Sequence, residues 1–346
     1  MGLSAAPLDH IGGSAAEFPE FRPRAPWFGP DLQTVRNFIV RPRPDLHAWP
    51  AATLDLPMRD GSGDRLQAEW HRNATHRPLV ALIHGLSGCA ESFYVLLTTR
   101  SLLDAGFSVL RLNLRGAGAT RLNCRERYHA GRTQDLSDAL AALPREARER
   151  GVFAIGFSLG ANLLLNLLGR GGGEPVIAAA AVSAPIELRA AAVAMMRPRN
   201  RIYQSYLLRR MKAEAFGPRT VHDLERSRAI ASARTIYEYD DTVVAPLNGF
   251  GGAEDYYARC SSRRALDGIA TPTLVIHALD DPWIPGEDYA RYDWRRNRRL
   301  TALLSRRGGH VGFHGLGGPA PWHDRCIVRF FERFVVTSSV GDTRTA

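Results

Sequence analysis

Residues 152–168 read Val-Phe-Ala-Ile-Gly-Phe-Ser-Leu-Gly-Ala-Asn-Leu-Leu-Leu-Asn-Leu-Leu, and no other stretch constrains the fold of this chain as much. The apolar run Val152–Phe157 predicts a strand buried on both faces, and the leucine-rich run that follows predicts a helix from Leu159 to Leu168. No loop separates them, so Gly156-Phe157-Ser158-Leu159-Gly160 must carry the chain from strand to helix in one sharp turn. Such a turn strains the backbone of its central residue and crowds the positions two before and two after it. Both are glycine here. The serine Oγ is then exposed above the sheet, with the free N–H groups of the helix N-terminus beside it. Ser158 is therefore the candidate nucleophile. A G-x-S-x-G pentapeptide alone is common; the flanking strand and helix carry the assignment.

Serine is a weak nucleophile at neutral pH unless a base takes its proton and an acid orients that base. Around a turn of this kind the chain order is Ser, then Asp or Glu, then His. The apolar run Thr273–Ala278 ends in Leu279-Asp280-Asp281-Pro282-Trp283-Ile284-Pro285, which puts an acid just past a strand. Asp281 is the choice, because Asp281…Ile284-Pro285 resembles the D-x-x-V-P segment that α/β-hydrolases commonly show after this strand, and Asp280 is the alternative. Arg307-Gly308-Gly309-His310 follows the last predicted strand, Leu300–Ser305, and offers His310 as the base, with His314 as the alternative. His222, His277 and His323 read as surface or core residues. For a developing oxyanion, the backbone N–H of Leu159 is one donor, and Leu86, in the loop His84-Gly85-Leu86-Ser87-Gly88, is the second. His84 reads as a brace for that loop.

The remaining chain supplies the frame. Candidate strands at Thr53–Met58, Arg65–His71, Leu79–His84, Ser108–Leu114 and Val176–Ser183 alternate with helical stretches, including Ser92–Asp104, one from Thr133, and Trp322–Phe334. This alternation implies a mostly parallel sheet with helices on both faces. Residues 1–50, rich in Pro, Gly and Arg, read as an extended N-terminal arm. Residues 186–268 interrupt the alternation with a helix-like stretch where sheet strands end, which predicts a helical cap over the site. Residues 51–185 and 269–346 then form the core. Met195, Met196, Tyr203 and Tyr206 in the cap are consistent with an apolar acyl pocket.

Composition narrows the function classes. The formal charge of +10 comes from arginines scattered along the chain, with Lys212 as the only lysine. Nucleic-acid sites gather basic residues on one face of a recognisable module, so no nucleic-acid partner is expected. The densest basic run (Arg197, Arg199, Arg201, Arg209, Arg210, Lys212) falls inside the cap. No stretch approaches the roughly 20 apolar residues of a membrane span, and nothing in the first residues resembles a signal peptide, so a cytoplasmic location is expected. Cys89, Cys124, Cys260 and Cys326 form no C-x-x-C pair, which leaves neither a metal nor a cofactor implied.

Several segments together resemble the YheT-like family of α/β-hydrolases, bacterial relatives of the mammalian lipid-acting α/β-hydrolase-domain proteins. Trp27–Thr34 resembles its W-x-x-x-x-L-Q-T arm, and His84-Gly85-Leu86 with Ser92 and Tyr94 resembles its oxyanion loop. Arg115-Gly116, Tyr128-His129-Ala130-Gly131 and Asp135 are similar to its R-G…Y-H-x-G…D segment, and Phe250–Tyr257 to its F-x-x-A-x-D-Y-Y motif at the cap exit. The elbow has Ala161 where many members carry glycine. The resemblance implies the α/β-hydrolase fold, a triad of Ser158, Asp281 and His310, and hydrolysis of a small-molecule carboxylic ester, lipid-like esters included. Acyltransferase and thioesterase chemistry use the same machinery, and a catalytically silent scaffold acting as a binding module is the reading from another class. Dehalogenases and epoxide hydrolases of this fold need a carboxylate in place of Ser158 and are excluded.

Overall fold

The computed structural model describes residues 18–75, 77–220 and 223–335. Its strands are β1 (Ala51–Pro57), β2 (Arg65–His71), β3 (Leu79–Ile83), β4 (Ser108–Leu112), β5 (Val152–Phe157), β6 (Val176–Val182), β7 (Thr273–Ala278) and β8 (Leu300–Ser305). They form one sheet in the order β1-β2-β4-β3-β5-β6-β7-β8. The β1–β2 and β2–β4 pairs are antiparallel, and all pairs from β4 to β8 are parallel.

Period-two alternation sorts the side chains of the central strands into two cores. Leu79, Ala81 and Ile83 of β3 join Val152 and Ala154 of β5 on one face. Val80 and Leu82, with Phe153, Ile155 and Phe157, point to the other. Helices cover both faces: α1 (Pro30–Val40), α2 (Phe93–Asp104), α3 (Thr133–Ala141), α4 (Arg145–Arg148) and α5 (Leu159–Gly169) come first in the chain. Leu163, Leu164 and Leu167 of α5 fill the first core. On the second, the Phe153 ring lies 4.4 Å from Phe331 near the chain end. Each fully buried side chain of this size contributes roughly 1.5–3 kcal/mol, so an uninterrupted apolar strand covered on both sides is strongly favoured over exposure.

Between β6 and β7 the chain is helical. It forms α6 (Leu188–Met195), α7 (Arg201–Ala215), α8 (Leu224–Ser232), α9 (Ile236–Tyr239), a π-turn over Asp240–Val244, α10 (Ala245–Leu247) and α11 (Ala253–Cys260). This insertion has its own small core of Met195, Leu207, Leu208, Met211, Ile230 and Ile236. The fold closes with α12 (Gly286–Ala290) and α13 (Trp322–Glu332). Strand and helix ends fall within two residues of those expected from sequence.

One expectation is corrected. Residues 30–40 are a regular helix, where an extended arm was expected throughout 1–50. Pro30 at the first helical turn favours initiation, and the buried side of this helix is polar (Gln33, Thr34, Asn37), so it carries no apolar stripe to announce it. His222 lies outside the described residues. No helix among the described residues is long and apolar enough to cross a membrane.

Candidate active site

The elbow takes the strained form its sequence demands. Ser158 sits between β5 and α5 at φ 52° and ψ −120°, a region that costs a non-glycine residue of order 1–3 kcal/mol. A Cβ on Gly156 would come 2.5 Å from Ala161 Cα, and one on Gly160 would collide with the carbonyl oxygen of His84. Packing holds the strain in place. Ser158 N–H donates to Val182 C=O at 2.8 Å, and its own C=O accepts from Ala161 and Asn162.

The loops after β7 and β8 bring the other two residues to it. His310 Nε2 lies 3.0 Å from Ser158 Oγ, and His310 Nδ1 lies 2.8 Å from Asp281 Oδ2. The other Asp281 oxygen, Oδ1, accepts the N–H groups of Trp283 (2.8 Å) and Ile284 (3.0 Å). Burial pushes the Asp281 carboxyl up, but the facing His310, and then His277 and the Trp283 amide, outweigh it and leave the group below its ordinary value. Asp281 is thus an anionic acceptor aimed at Nδ1, which leaves Nε2 free to take a proton from Ser158. The Trp283 ring stacks on His310 at 4.3 Å and fixes its plane.

The alternatives lie apart from this chain of bonds. Asp280 Oδ1 accepts Gly309 N–H at 3.0 Å and shapes the histidine loop from behind. His314 is buried, its Nε2 has no hydrogen-bond partner among the described residues, and burial pushes it down to about 2. His277 is a core residue stacked on Tyr289 at 3.8 Å, and His323 is buried in the core beside Asp324.

Gly85, which opens the loop to Gly88, packs directly against the serine. A Cβ on Gly85 would come 2.9 Å from Ser158 Cβ. Gly85 N–H donates to Tyr94 Oη (2.8 Å), Ser87 N–H to Tyr128 Oη (2.7 Å), and Gly88 N–H to Gly85 C=O (3.1 Å). Leu86 N–H, between them, has none of these acceptors, and Leu86 lines the cavity with Ser158 and Leu159. His84 braces the loop: Nε2 accepts Leu114 N–H at 3.0 Å, so Nδ1 carries the proton and donates to Gly85 C=O at 2.8 Å. Full burial pushes His84 down to about 4 and keeps it neutral.

Three segments with no evident chemistry in the sequence support the site. In α1, Thr34 Oγ1 accepts His310 N–H at 2.9 Å, while Gln33 donates to His314 C=O (3.1 Å) and accepts its N–H (2.6 Å). In the Arg115…Asp135 segment, the Arg115 side chain is fully buried and pairs with Asp135 (2.7 Å) and Asp64 (3.0 Å). It anchors the backbone that delivers Tyr128, whose N–H donates to Arg115 C=O at 2.9 Å. From α7, Arg210 donates to Ser87 C=O at 2.6 and 3.1 Å, and Glu214 accepts from Ser87 Oγ at 3.4 Å. Burial pushes the Glu214 carboxyl up to about 7. These roles draw on partners as far as 281 residues away, which no local pattern encodes.

The site opens into a cavity of about 760 Å³. Leu188, Met195, Leu207, Met211 and Ile236 of the insertion line it with apolar surface, together with Phe38, Phe93 and Trp283. One buried acid, Asp240 in the π-turn, also lines it. Tyr257 Oη donates to Asp240 at 2.7 Å, and burial pushes that carboxyl up to about 7.

Known proteins resemble this chain in sequence and fold. A family model described as the alpha/beta hydrolase family matches residues 80–317. The chain is 35% identical over 295 residues to YheT, a candidate esterase of Escherichia coli (strain K12), covering 83% of this chain and 85% of that protein. It is 25% identical over 321 residues to human phospholipase ABHD3, covering 89% and 76%. Among solved structures, the esterase Pf2001 of Pyrococcus furiosus superposes with a TM-score of 0.57 at 15% identity, over 84% of this chain and 96% of that one, a likeness of fold. With a family match running from β3 past the His310 loop, and a relative this similar along most of both chains, the chain belongs to the alpha/beta hydrolase family, in its YheT-like branch.

Proposed function

We propose that this chain is a carboxylic-ester hydrolase that works through an acyl-serine on Ser158. The observation that carries the reading is the unbroken bond sequence Asp281–His310–Ser158 at the wall of an apolar cavity. In the first step Ser158 Oγ attacks the ester carbonyl while its proton passes to His310 Nε2, and the anionic Asp281 stabilises the imidazolium. The oxygen that gains charge is received by the N–H groups of Leu86 and Leu159, each worth about 10²–10³ in turnover. Collapse expels the alcohol, which takes the proton from His310. A water then repeats the sequence on the acyl-serine, releasing the carboxylic acid and restoring Ser158.

The insertion serves as the cap of this site. Its apolar wall favours an acyl chain over a charged substrate, and relatives named as a phospholipase and as a medium-chain fatty acid ethyl ester synthase/esterase support lipid-like esters as the class. The bonded triad argues against a silent scaffold, which has no need of an anionic Asp281 behind a correctly oriented imidazole. The test is turnover of 4-nitrophenyl esters from acetate to laurate. Hydrolysis with a preference for medium or long chains, abolished in Ser158→Ala, is expected. Undiminished turnover in Ser158→Ala overturns the reading.

A further inference from the structure

Helix α1 is built inside out. Its buried face is polar, with Gln33 and Thr34 committed to the histidine loop, while Phe38 (48% exposed), Ile39 (60%) and Val40 (45%) face solvent. Scattered surface apolar residues are ordinary, but a contiguous group at the mouth of an apolar cavity is not. Phe38 lines that cavity and meets Tyr206 of α7 edge-on at 5.7 Å. Tyr206 also borders a shallow depression with Arg201, Ile202 and Arg209, where Ile202 is 82% exposed. Tyr203 of α7 and Arg199, in the turn just before it, bind Asp31 of α1 at 2.9 and 3.0 Å, so the two helices present one face. Around it stand Arg41, Arg43, Arg201 and Arg209, and among the described residues no carboxylate lies within ion-pair distance of any of them. Three other members of the basic run in this segment are committed elsewhere: Arg210 to Ser87, Arg199 to Asp31, and Lys212 to Ala231 C=O.

We propose that the α1–α7 face docks on an anionic lipid surface. Phe38, Ile39, Val40 and Ile202 enter the acyl boundary, the four arginines meet phosphate head groups, and a lipid-like ester passes from the surface into the cavity between the helices. The charge complementarity selects this occupant: an apolar patch alone suits many partners, but one ringed by guanidinium groups that have no carboxylate partner among the described residues suits an interface that is apolar below and anionic above. The docking is peripheral, since no described helix is long enough to span. The proposal rests on the ester-hydrolase reading and extends it to where the substrate is met.

The experiment uses the full chain with vesicles of phosphatidylcholine alone or mixed with phosphatidylglycerol, read by flotation. Binding to the anionic vesicles, weakened by salt, is expected. Ile39→Asp with Ile202→Asp lowers partitioning by about tenfold or more, and Arg201→Glu with Arg209→Glu removes the preference for the anionic lipid. All four positions lie outside the cavity lining, so turnover of soluble 4-nitrophenyl acetate stays within about twofold and confirms folding. Three results overturn the proposal: no binding to either vesicle, equal binding to both that the variants leave unchanged, or a dimer in solution that Ile39→Asp dissociates. Vesicle binding without soluble-ester turnover leaves docking intact and removes the ester reading instead.

Discussion

Replacing Asp281 by Asn separates geometry from charge at the acid position. Asp281 Oδ1 accepts two backbone N–H groups, from Trp283 and Ile284, while Oδ2 faces His310 Nδ1. An asparagine must keep its carbonyl oxygen toward the two amides, because its NH₂ group there would set donor against donor twice. The NH₂ is then aimed at His310 Nδ1. That nitrogen must become the acceptor, and the proton moves to Nε2, which can no longer take one from Ser158. The wrong tautomer in an intact frame typically costs about 10⁴ in kcat, equivalent to about 5 kcal/mol of transition-state stabilisation. Steady-state kinetics on 4-nitrophenyl acetate, with far-UV circular dichroism to verify folding, measures it. KM should stay nearly constant while kcat collapses. Asp280→Asn keeps the oxygen that accepts Gly309 N–H and should stay within a few-fold of the parent. A loss below tenfold in Asp281→Asn, or a larger loss in Asp280→Asn, refutes the assignment.

Further predictions follow from the strain and the buried acids. Ser158→Gly and Ser158→Ala should both be inactive, but the glycine variant relaxes the φ 52°, ψ −120° backbone and should be about 1 kcal/mol more stable; equal or reversed melting temperatures contradict stored strain. Tyr128→Phe deprives Ser87 N–H of its acceptor and should lower kcat by about tenfold with little change in KM, whereas an unchanged kcat shows that the loop keeps its shape without it. Asp324 accepts from Thr98 (2.7 Å) and Ser101 (2.9 Å), and burial pushes it up to about 7. His323 is pushed down to about 3, so its 3.2 Å approach to Asp324 is a contact of neutral groups rather than an ion pair. A carboxyl with a raised folded pKa binds more protons folded than unfolded. The stability it confers is therefore full below about pH 4 and is lost as the pH rises toward 7, on the order of a few kcal/mol. Denaturant titrations should show Asp324→Asn gaining on the parent across that window, and parallel pH profiles would sink the idea.

The two halves of the site differed in how far sequence disclosed them. Ser158 was legible because the strand, the turn and the helix around it are continuous in the chain, and their sterics require glycine at 156 and 160. The carboxylate and imidazole that line up with Ser158 were legible as positions past strand ends, with Asp281 preferred to Asp280 on its spacing from Ile284-Pro285; what the sequence does not show is that the backbone N–H groups of 283–284 hold Asp281 toward the histidine. Of the supporting residues, the Tyr128–Asp135 segment was legible as structural support for the loop beside the site, where Tyr128 accepts Ser87 N–H, but not the bonds it makes. Thr34 and Arg210 act through partners distant in sequence, and α1 hid because its buried face is polar. Strand β2, inside the edge strand β1, pairs antiparallel with β4, a crossover that the later β-α-β rhythm does not announce.

The central claim is that Ser158 is an activated nucleophile, and covalent capture tests it most directly. A fluorophosphonate probe incubated with the full chain, followed by proteolysis and mass mapping, should modify the peptide bearing Ser158. Labelling should be lost in Ser158→Ala and strongly slowed in His310→Ala and Asp281→Asn. Absence of labelling in the parent chain, or labelling that persists elsewhere in Ser158→Ala at the parental rate, would contradict the account.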